Sequence, residues 1–151
     1  MVDTSYLTKL ETLFMALADK TRLRLLNLMR DDEVCVCFFT EVLGDSQPKI
    51  SRHLAYLRNA GIVEARRDGK WMHYSINWPE DEGIRNIFSA VLDSFSSRPE
   101  MRADREKYKN VCCSPELLVQ IARTPIDFIS AQANIIERMP ASHNELDEFL
   151  L

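Results

Sequence analysis

The sequence has few glycines and no long apolar run, and these two shortages exclude several classes of protein. Only four glycines occur in 151 residues and none are clustered, so the chain lacks a glycine-rich loop of the kind that binds nucleotide phosphates. No apolar run approaches the roughly 18 residues that a membrane-spanning helix needs. The N-terminal residues show no basic segment followed by an apolar one. We therefore expect a cytoplasmic protein without a signal peptide or a membrane partner.

Cysteines are also scarce, with two close together near position 36 and an adjacent pair near position 112. The sequence contains no Cys-x-x-Cys in a strand–helix setting and no clear pairing of a nucleophile with a general base. We therefore expect no enzyme, and no organic cofactor. In a cytoplasmic protein, four thiols are better suited to metal or redox chemistry than to a disulfide framework.

The spacing of apolar residues predicts a mainly α fold with one small β-hairpin. Apolar residues recur at helical intervals over 5–18, 20–30, 35–43, 47–60 and 79–95. A Ser-Ser-Arg-Pro break near residue 97 divides the chain into a first domain, 1–96, and a C-terminal extension, 97–151. Within the extension we expect short helices over 114–122 and 126–139, followed by a mobile tail. Its role after residue 115 is not indicated by the sequence.

The stretch 46–76 has the layout of a winged helix-turn-helix. Ser46 is a good N-cap residue, and Ile50, Leu54 and Leu57 recur at helical spacing, so that this side of the helix would face a core. Gly61 would end the helix. Two strand-like segments follow, separated by Asp-Gly, a strong hairpin-turn signal. The helix would enter the DNA major groove, and the hairpin would lie against the DNA backbone.

Charge is concentrated in this same stretch. The chain as a whole carries a net charge of −4, yet residues 46–77 hold six lysines and arginines against two carboxylates. A basic region in an otherwise acidic chain is typical of a localised contact with nucleic acid.

The segments LADKTRLRLLNLM, CVC, SQPKISRHLAYLRNAGIV and RRDGKWMHYSI together resemble the ArsR/SmtB family of bacterial metal-responsive repressors. The resemblance covers roughly residues 5–95. It implies a homodimeric winged helix whose first and last helices pack across the two-fold axis. It also implies a repressor that binds double-stranded operator DNA when metal-free and releases it when a metal or metalloid binds.

The residue types in the reading stretch agree with a DNA contact. Gln47 and Arg52 suit hydrogen bonds to base edges. We expect contacts to phosphates or neighbouring bases from Ser46, Lys49, Ser51 and His53, and contacts of the hairpin with the backbone or minor groove from Arg66, Arg67 and Lys70.

Cys35 and Cys37 form the most chemically specific short motif. Arsenic- and antimony-responsive members of the family open their third helix with Cys-x-Cys-x-x-Cys, but here the third position is Thr40. Trivalent arsenic and antimony, As(III) and Sb(III), prefer thiolates and complete a pyramidal site with three of them. The missing sulfur could come from Cys112 or Cys113, in the same or the partner subunit.

Other interpretations remain open. Cys112 and Cys113 alone could bind a methylated trivalent arsenical, which has two exchangeable positions, or the cysteines could form a redox switch. The redox alternative is the weaker one, because adjacent Cα atoms lie about 3.8 Å apart, below the usual range for a disulfide. In the family that the chain resembles, zinc-responsive members use histidine and carboxylate ligands on the last helix of the winged domain, and cadmium-responsive members add cysteines from the N-terminal segment. Because residues 80–95 contain no histidine and residues 1–34 no cysteine, the resemblance disfavours zinc and cadmium sensing. A winged helix that binds protein rather than DNA is a further alternative.

Overall fold

The computed structural model describes residues 4–112 of the chain. The predictions for 113–151, including Cys113, lie outside the described residues. The helices are α1 (Thr4–Leu17), α2 (Lys20–Leu28), α3 (Val36–Leu43), α4 (Gln47–Asn59), α5 (Glu82–Ser94) and α6 (Pro99–Cys112), and the strands are β1 (Val34–Cys35), β2 (Val63–Asp68) and β3 (Trp71–Ile76). A 3-10 turn over Phe95–Ser97 joins α5 to α6.

The three strands form an antiparallel sheet in the order β1-β3-β2. β2 and β3 make the predicted hairpin, although its turn falls at Gly69–Lys70 rather than one residue earlier. Gly69 has φ of 60°, a left-handed conformation that glycine adopts without steric cost. Strand β1 was not predicted, and the expectation that α3 begins at Cys35 was wrong by one residue. Strand β1 has only two residues, which are too few to show an alternating pattern in the sequence. They form a strand because they pair with β3.

The core lies between the helices and one face of the sheet. The predicted inward side of α4 is confirmed, since Ile50, Leu54 and Leu57 are all completely buried. They pack in one cluster with α3 residues such as Phe39 and α5 residues such as Phe88. Burying a side chain of this size contributes about 1.5–3 kcal/mol, so this cluster holds α4 firmly against the rest of the domain.

Local capping sets the helix limits. The Asp19 carboxylate accepts a hydrogen bond of 3.0 Å from the backbone N–H of Arg22 at the start of α2, and Asp81 accepts one of 3.0 Å from Ile84 at the start of α5. Both bonds satisfy N–H groups that the first helical turn leaves unpaired. Gly44, with φ of 71°, ends α3 and turns the chain into α4.

Helix α6 packs across α2 and α3. Asp104 accepts two hydrogen bonds from Arg24, of 2.7 and 2.9 Å, and Asn27 donates a hydrogen bond of 2.9 Å to the carbonyl of Met101. Further along α6, the ring of Tyr108 meets Phe38 of α3 edge-on, at a centroid distance of 5.8 Å.

The predicted fold class, mainly helical with a winged helix-turn-helix, is confirmed. Within residues 4–112, no helix has the length and apolarity to span a bilayer.

Candidate nucleic-acid interface and cysteine pair

The outer side of α4 presents some of the polar residues that the sequence assigned to it. Arg52 is exposed, and among the described residues no carboxylate lies within ion-pair distance of it. Ser46 is exposed at the N-cap position, but its side chain makes no capping bond. Gln47 is half-buried in the first turn. The N-terminal half of α4 therefore offers an unpaired guanidinium, an amide and a hydroxyl to a ligand lying along it.

Lys49 lies on the same helix but is partly neutralised. Its Nζ lies 3.0 Å from the Asp45 carboxylate, four residues earlier in the chain. The lysine side chain is 42% exposed, so a surface pair of this kind contributes about 0–1 kcal/mol and exchanges readily for another anion.

Two of the predicted contact residues lie elsewhere. Ser51 was expected to contact DNA, and this was wrong for its side chain, which is 1% exposed and follows Ile50 on the inward side of α4. Its hydroxyl has no hydrogen-bond partner among the described residues. His53 is half-buried, and its Nδ1 lies 3.7 Å from Asp19. Asp19 is the N-cap of α2, so His53 faces the start of α2 and not the outer side of α4. Burial lowers the pKa of His53, and the charge of Asp19 opposes that effect.

The hairpin carries the remaining predicted cations. Arg67 is exposed, and its Nε donates a hydrogen bond of 3.1 Å to the carbonyl of Gly69 in the turn. Lys70 places its Nζ 5.0 Å from the centre of the Trp71 ring, within the range of a cation–π contact. Both side chains stay at the tip of the hairpin, where they can meet a phosphate backbone.

Arg66 differs from them, because it is paired with a residue that the sequence did not single out. Its Nε donates to both carboxylate oxygens of Glu33, at 3.0 and 3.2 Å, and its Nη2 makes a further close contact with the same carboxylate. This hydrogen bonding with Arg66 holds the pKa of Glu33 below its usual range. No local signal in the sequence could have linked Glu33 to Arg66, because the two residues are 33 positions apart.

Cys35 and Cys37 are brought together. Cys35 ends β1 and Cys37 lies in the first turn of α3, and their sulfur atoms are 3.0 Å apart. The hydrogen bond between them lowers the pKa of Cys35, while the same bond and burial raise the pKa of Cys37. The pair therefore favours a single thiolate at Cys35, stabilised by the Cys37 thiol. Thiolates are the ligand form for soft metals and metalloids.

Among residues 4–112, no third sulfur is assembled with this pair. Thr40, at the position of the missing cysteine, donates its hydroxyl to the carbonyl of Cys37 at 2.9 Å. Cys112 ends α6 one turn beyond Tyr108, and its thiol lies 3.4 Å from the carbonyl of Lys109. Within residues 4–112, no group of three or more cysteine, histidine or carboxylate side chains is arranged to hold a metal ion. Helix α6 nevertheless packs on α3, so Cys112 is carried by an element in contact with the helix that begins at the pair.

An apolar face of α1 lies open. Leu7 and Phe14 are 54% and 51% exposed, and Leu10 between them is half-buried. The spacing of three and four residues places them on one side of the helix. Large exposed apolar residues in a stripe of this kind are typical of a surface that packs against another chain.

Comparison with known proteins places the chain in a family. A family model described as "Bacterial regulatory protein, arsR family" matches residues 19–65. Arsenic resistance transcriptional regulator ArsR1 of Pseudomonas putida is 45% identical over 82 residues, which make up 54% of this chain and 64% of that protein. Regulator ArsR2 of the same organism is 48% identical over 108 residues, covering 66% of this chain and 94% of that protein.

Solved structures agree. The homodimeric winged helix-turn-helix DNA-binding domain of Mb0332 from Mycobacterium bovis matches with a TM-score of 0.52 and 27% identity, covering 66% of this chain and 91% of that one. The antimony-specific transcriptional repressor AntR matches with a TM-score of 0.51 and 28% identity, covering 64% of this chain and 85% of that one. The chain belongs to the ArsR family of bacterial regulatory proteins.

Proposed function

We propose that this protein is a transcriptional repressor that binds operator DNA and releases it on binding a trivalent metalloid through its cysteines. The observation that carries the proposal is the position of the thiol pair. Cys35 and Cys37 lie at the start of α3, directly before the helix α4 with its exposed Arg52. Relatives of similar sequence are named as arsenic resistance regulators, which supports this function.

In the DNA complex, α4 enters the major groove. Arg52 and Gln47 donate to base edges, while Ser46 and Lys49 contact phosphates near the start of the helix. Arg67 and Lys70 contact the backbone or minor groove from the hairpin. Lys49 exchanges its Asp45 partner for a phosphate, which the exposed position of the pair allows.

We propose that two copies of the chain form the DNA-binding unit. The exposed stripe of Leu7, Leu10 and Phe14 on α1 becomes buried against the second copy. The half-buried Ile87 and Val91 on α5 extend this apolar surface. A dimer places two copies of α4 about 34 Å apart, the distance between successive major grooves on one side of DNA.

The inducer is arsenite or antimonite, the trivalent hydroxides of arsenic and antimony. Each cysteine thiol replaces one hydroxide and releases one water molecule, and the oxidation state of the metalloid does not change. Cys35 and Cys37 supply two sulfurs, and the thiolate stabilised at Cys35 attacks first. The third sulfur comes from Cys112 or Cys113, and the packing of α6 on α3 supports a contribution from the same subunit.

Metalloid binding would act on α4 through α3. Drawing the sulfurs of Cys35 and Cys37 onto one atom changes the first turn of α3, and α3 is joined to α4 by only three residues. A small rotation of each α4 would prevent the two copies from contacting DNA together. A coupling free energy of about 2–3 kcal/mol weakens DNA binding by roughly 30- to 150-fold, which is enough to release a repressor.

The test uses a duplex recovered by in vitro selection from a random-sequence pool. We expect the wild-type protein to bind it and arsenite to weaken binding. Cys35→Ser should stay bound at the same arsenite concentration. Thr40→Ala, which changes the same helix without removing a thiol, should respond like the wild type. Release of Cys35→Ser at wild-type arsenite concentrations would contradict the site, and absence of DNA binding would contradict the repressor.

A second candidate inducer is a methylated trivalent arsenical. It is favoured by the observation that only two thiols, Cys35 and Cys37, are in contact among residues 4–112. Cys112 and Cys113 are an alternative pair for the same ligand. Release by methylarsenite that survives Cys35→Ser but not Cys112→Ser would assign the site to the second pair. Release by a thiol oxidant alone would instead support a redox switch.

A further inference from the structure

Three residues from three strands lie in one row across the sheet. Cys35 of β1 is opposite His73 of β3, and His73 is in turn opposite Arg66 of β2. Residues opposite one another in antiparallel strands project from the same face. Neighbouring strands are about 4.8 Å apart, so the backbone of the cysteine is about 10 Å from that of the hairpin arginine.

Glu33 lies beside this row and contacts two of its members, Arg66 and His73. It precedes Cys35 by two residues, and its carboxylate accepts hydrogen bonds from Arg66 through both oxygens. Its Oε1 also lies 3.8 Å from Nδ1 of His73. The residue that holds the hairpin arginine is therefore carried on the same short segment as the first cysteine.

The paired groups are at the protein surface. The side chain of Arg66 is 55% exposed and that of Glu33 is 34% exposed. A guanidinium presents its N–H groups as a planar fork, which fits a carboxylate and a phosphate in the same bidentate way. While Glu33 occupies this fork, Arg66 cannot offer the same N–H groups to DNA.

We infer that Glu33 is an internal competitor of the DNA backbone for Arg66, so that operator binding requires this ion pair to open. The inference rests on the proposed function, because it concerns the strength of the same DNA contact. Exposed ion pairs stabilise a fold only slightly, so the pair is free to exchange one anion for another. Glu33 directly precedes β1, which contains Cys35. A movement of β1 would therefore change the distance between the Glu33 carboxylate and Arg66 of the hairpin.

The test is Glu33→Gln, which keeps the shape of the side chain and removes its charge. We expect DNA binding about two- to 30-fold tighter in a dimer, from the range for one exposed ion pair in each subunit. The dependence of affinity on salt should become steeper by about one phosphate contact per subunit, because Arg66 then pairs with DNA more completely. Melting curves should be unchanged.

Asp32→Asn is the matched control, since it removes one negative charge from the same loop and Asp32 is exposed. It should give a smaller gain and the wild-type salt dependence. In an Arg66→Gln background, Glu33→Gln should tighten DNA binding no more than Asp32→Asn does, because the contested guanidinium is absent and only the general loss of one negative charge remains.

Equal effects of Glu33→Gln and Asp32→Asn would overturn the inference, as would a gain from Glu33→Gln that exceeds that of Asp32→Asn in the absence of Arg66. In both cases wild-type DNA binding and release by arsenite would be intact, so the proposed function would stand. A wild-type protein that binds no DNA from the selected pool would overturn both.

Discussion

Replacement of Arg52 by alanine separates base reading from general attraction to DNA. The guanidinium is exposed on the outer side of α4 and has no carboxylate partner among the described residues, so its removal breaks no ion pair among them. Surface changes of this kind alter the free energy of unfolding by no more than about 0.5 kcal/mol. A bidentate contact to a base contributes about 1–3 kcal/mol of binding.

A dimer uses two copies of Arg52, so the loss is about 2–6 kcal/mol, or from about 30-fold to more than about 10,000-fold in Kd. Fluorescence anisotropy with a selected duplex at constant salt measures it. Because the lost contact is to bases, the slope of affinity against salt should change little. Arg58→Ala is the control, since Arg58 is exposed on the same helix about 120° around its axis. Unchanged affinity of the Arg52 variant would refute the assignment, and an equal loss in both variants would attribute the effect to net charge.

Three further changes test other parts of the structure. Asp104→Asn weakens the bidentate contact with the partly exposed Arg24 and should lower the free energy of unfolding by about 1–2 kcal/mol. A urea midpoint equal to that of the wild type would contradict the contribution of this contact to the docking of α6. Leu7→Glu places a charge in the exposed α1 stripe and should yield monomers in sedimentation experiments, whereas a persisting dimer would move the interface elsewhere. Cys37→Ala removes the hydrogen bond that lowers the pKa of Cys35, so this pKa should rise and the thiolate should form only at higher pH. The thiolate of Cys35 can be followed by its ultraviolet absorbance in a protein whose Cys112 and Cys113 are replaced by serine. A Cys35 pKa that is the same with and without Cys37 would contradict this prediction.

Local pattern was sufficient for most of the reading unit. The stripe of Ile50, Leu54 and Leu57 predicted both the helix and its buried side, and the Asp-Gly pair placed the hairpin turn to within one residue. These features depend on residues close together in the chain. The same reasoning misplaced Ser51, because a hydroxyl in a helix next to basic residues carries no signal of which way it points.

The cysteine site was predictable in part. The spacing of Cys35 and Cys37 indicated a shared site, and their sulfurs are in contact. The short strand β1 was not predictable, because it exists only through pairing with β3, nearly 40 positions later in the chain. The predictions for the DNA-contacting set and the metalloid ligands stay predictions until binding is measured.

The sequence by itself determined the first five helices, the hairpin, the basic region and the pair of thiols ahead of the reading helix, because periodicity, turn chemistry and residue type act over a few neighbouring positions. Helix α6 (Pro99–Cys112) was not predicted. Only the tertiary structure decided which partners these groups meet. It joined Arg66 to Glu33 and Arg24 to Asp104, pairs separated by 33 and 80 positions. Contacts over such distances follow from strand register and helix packing, which no short stretch of sequence specifies.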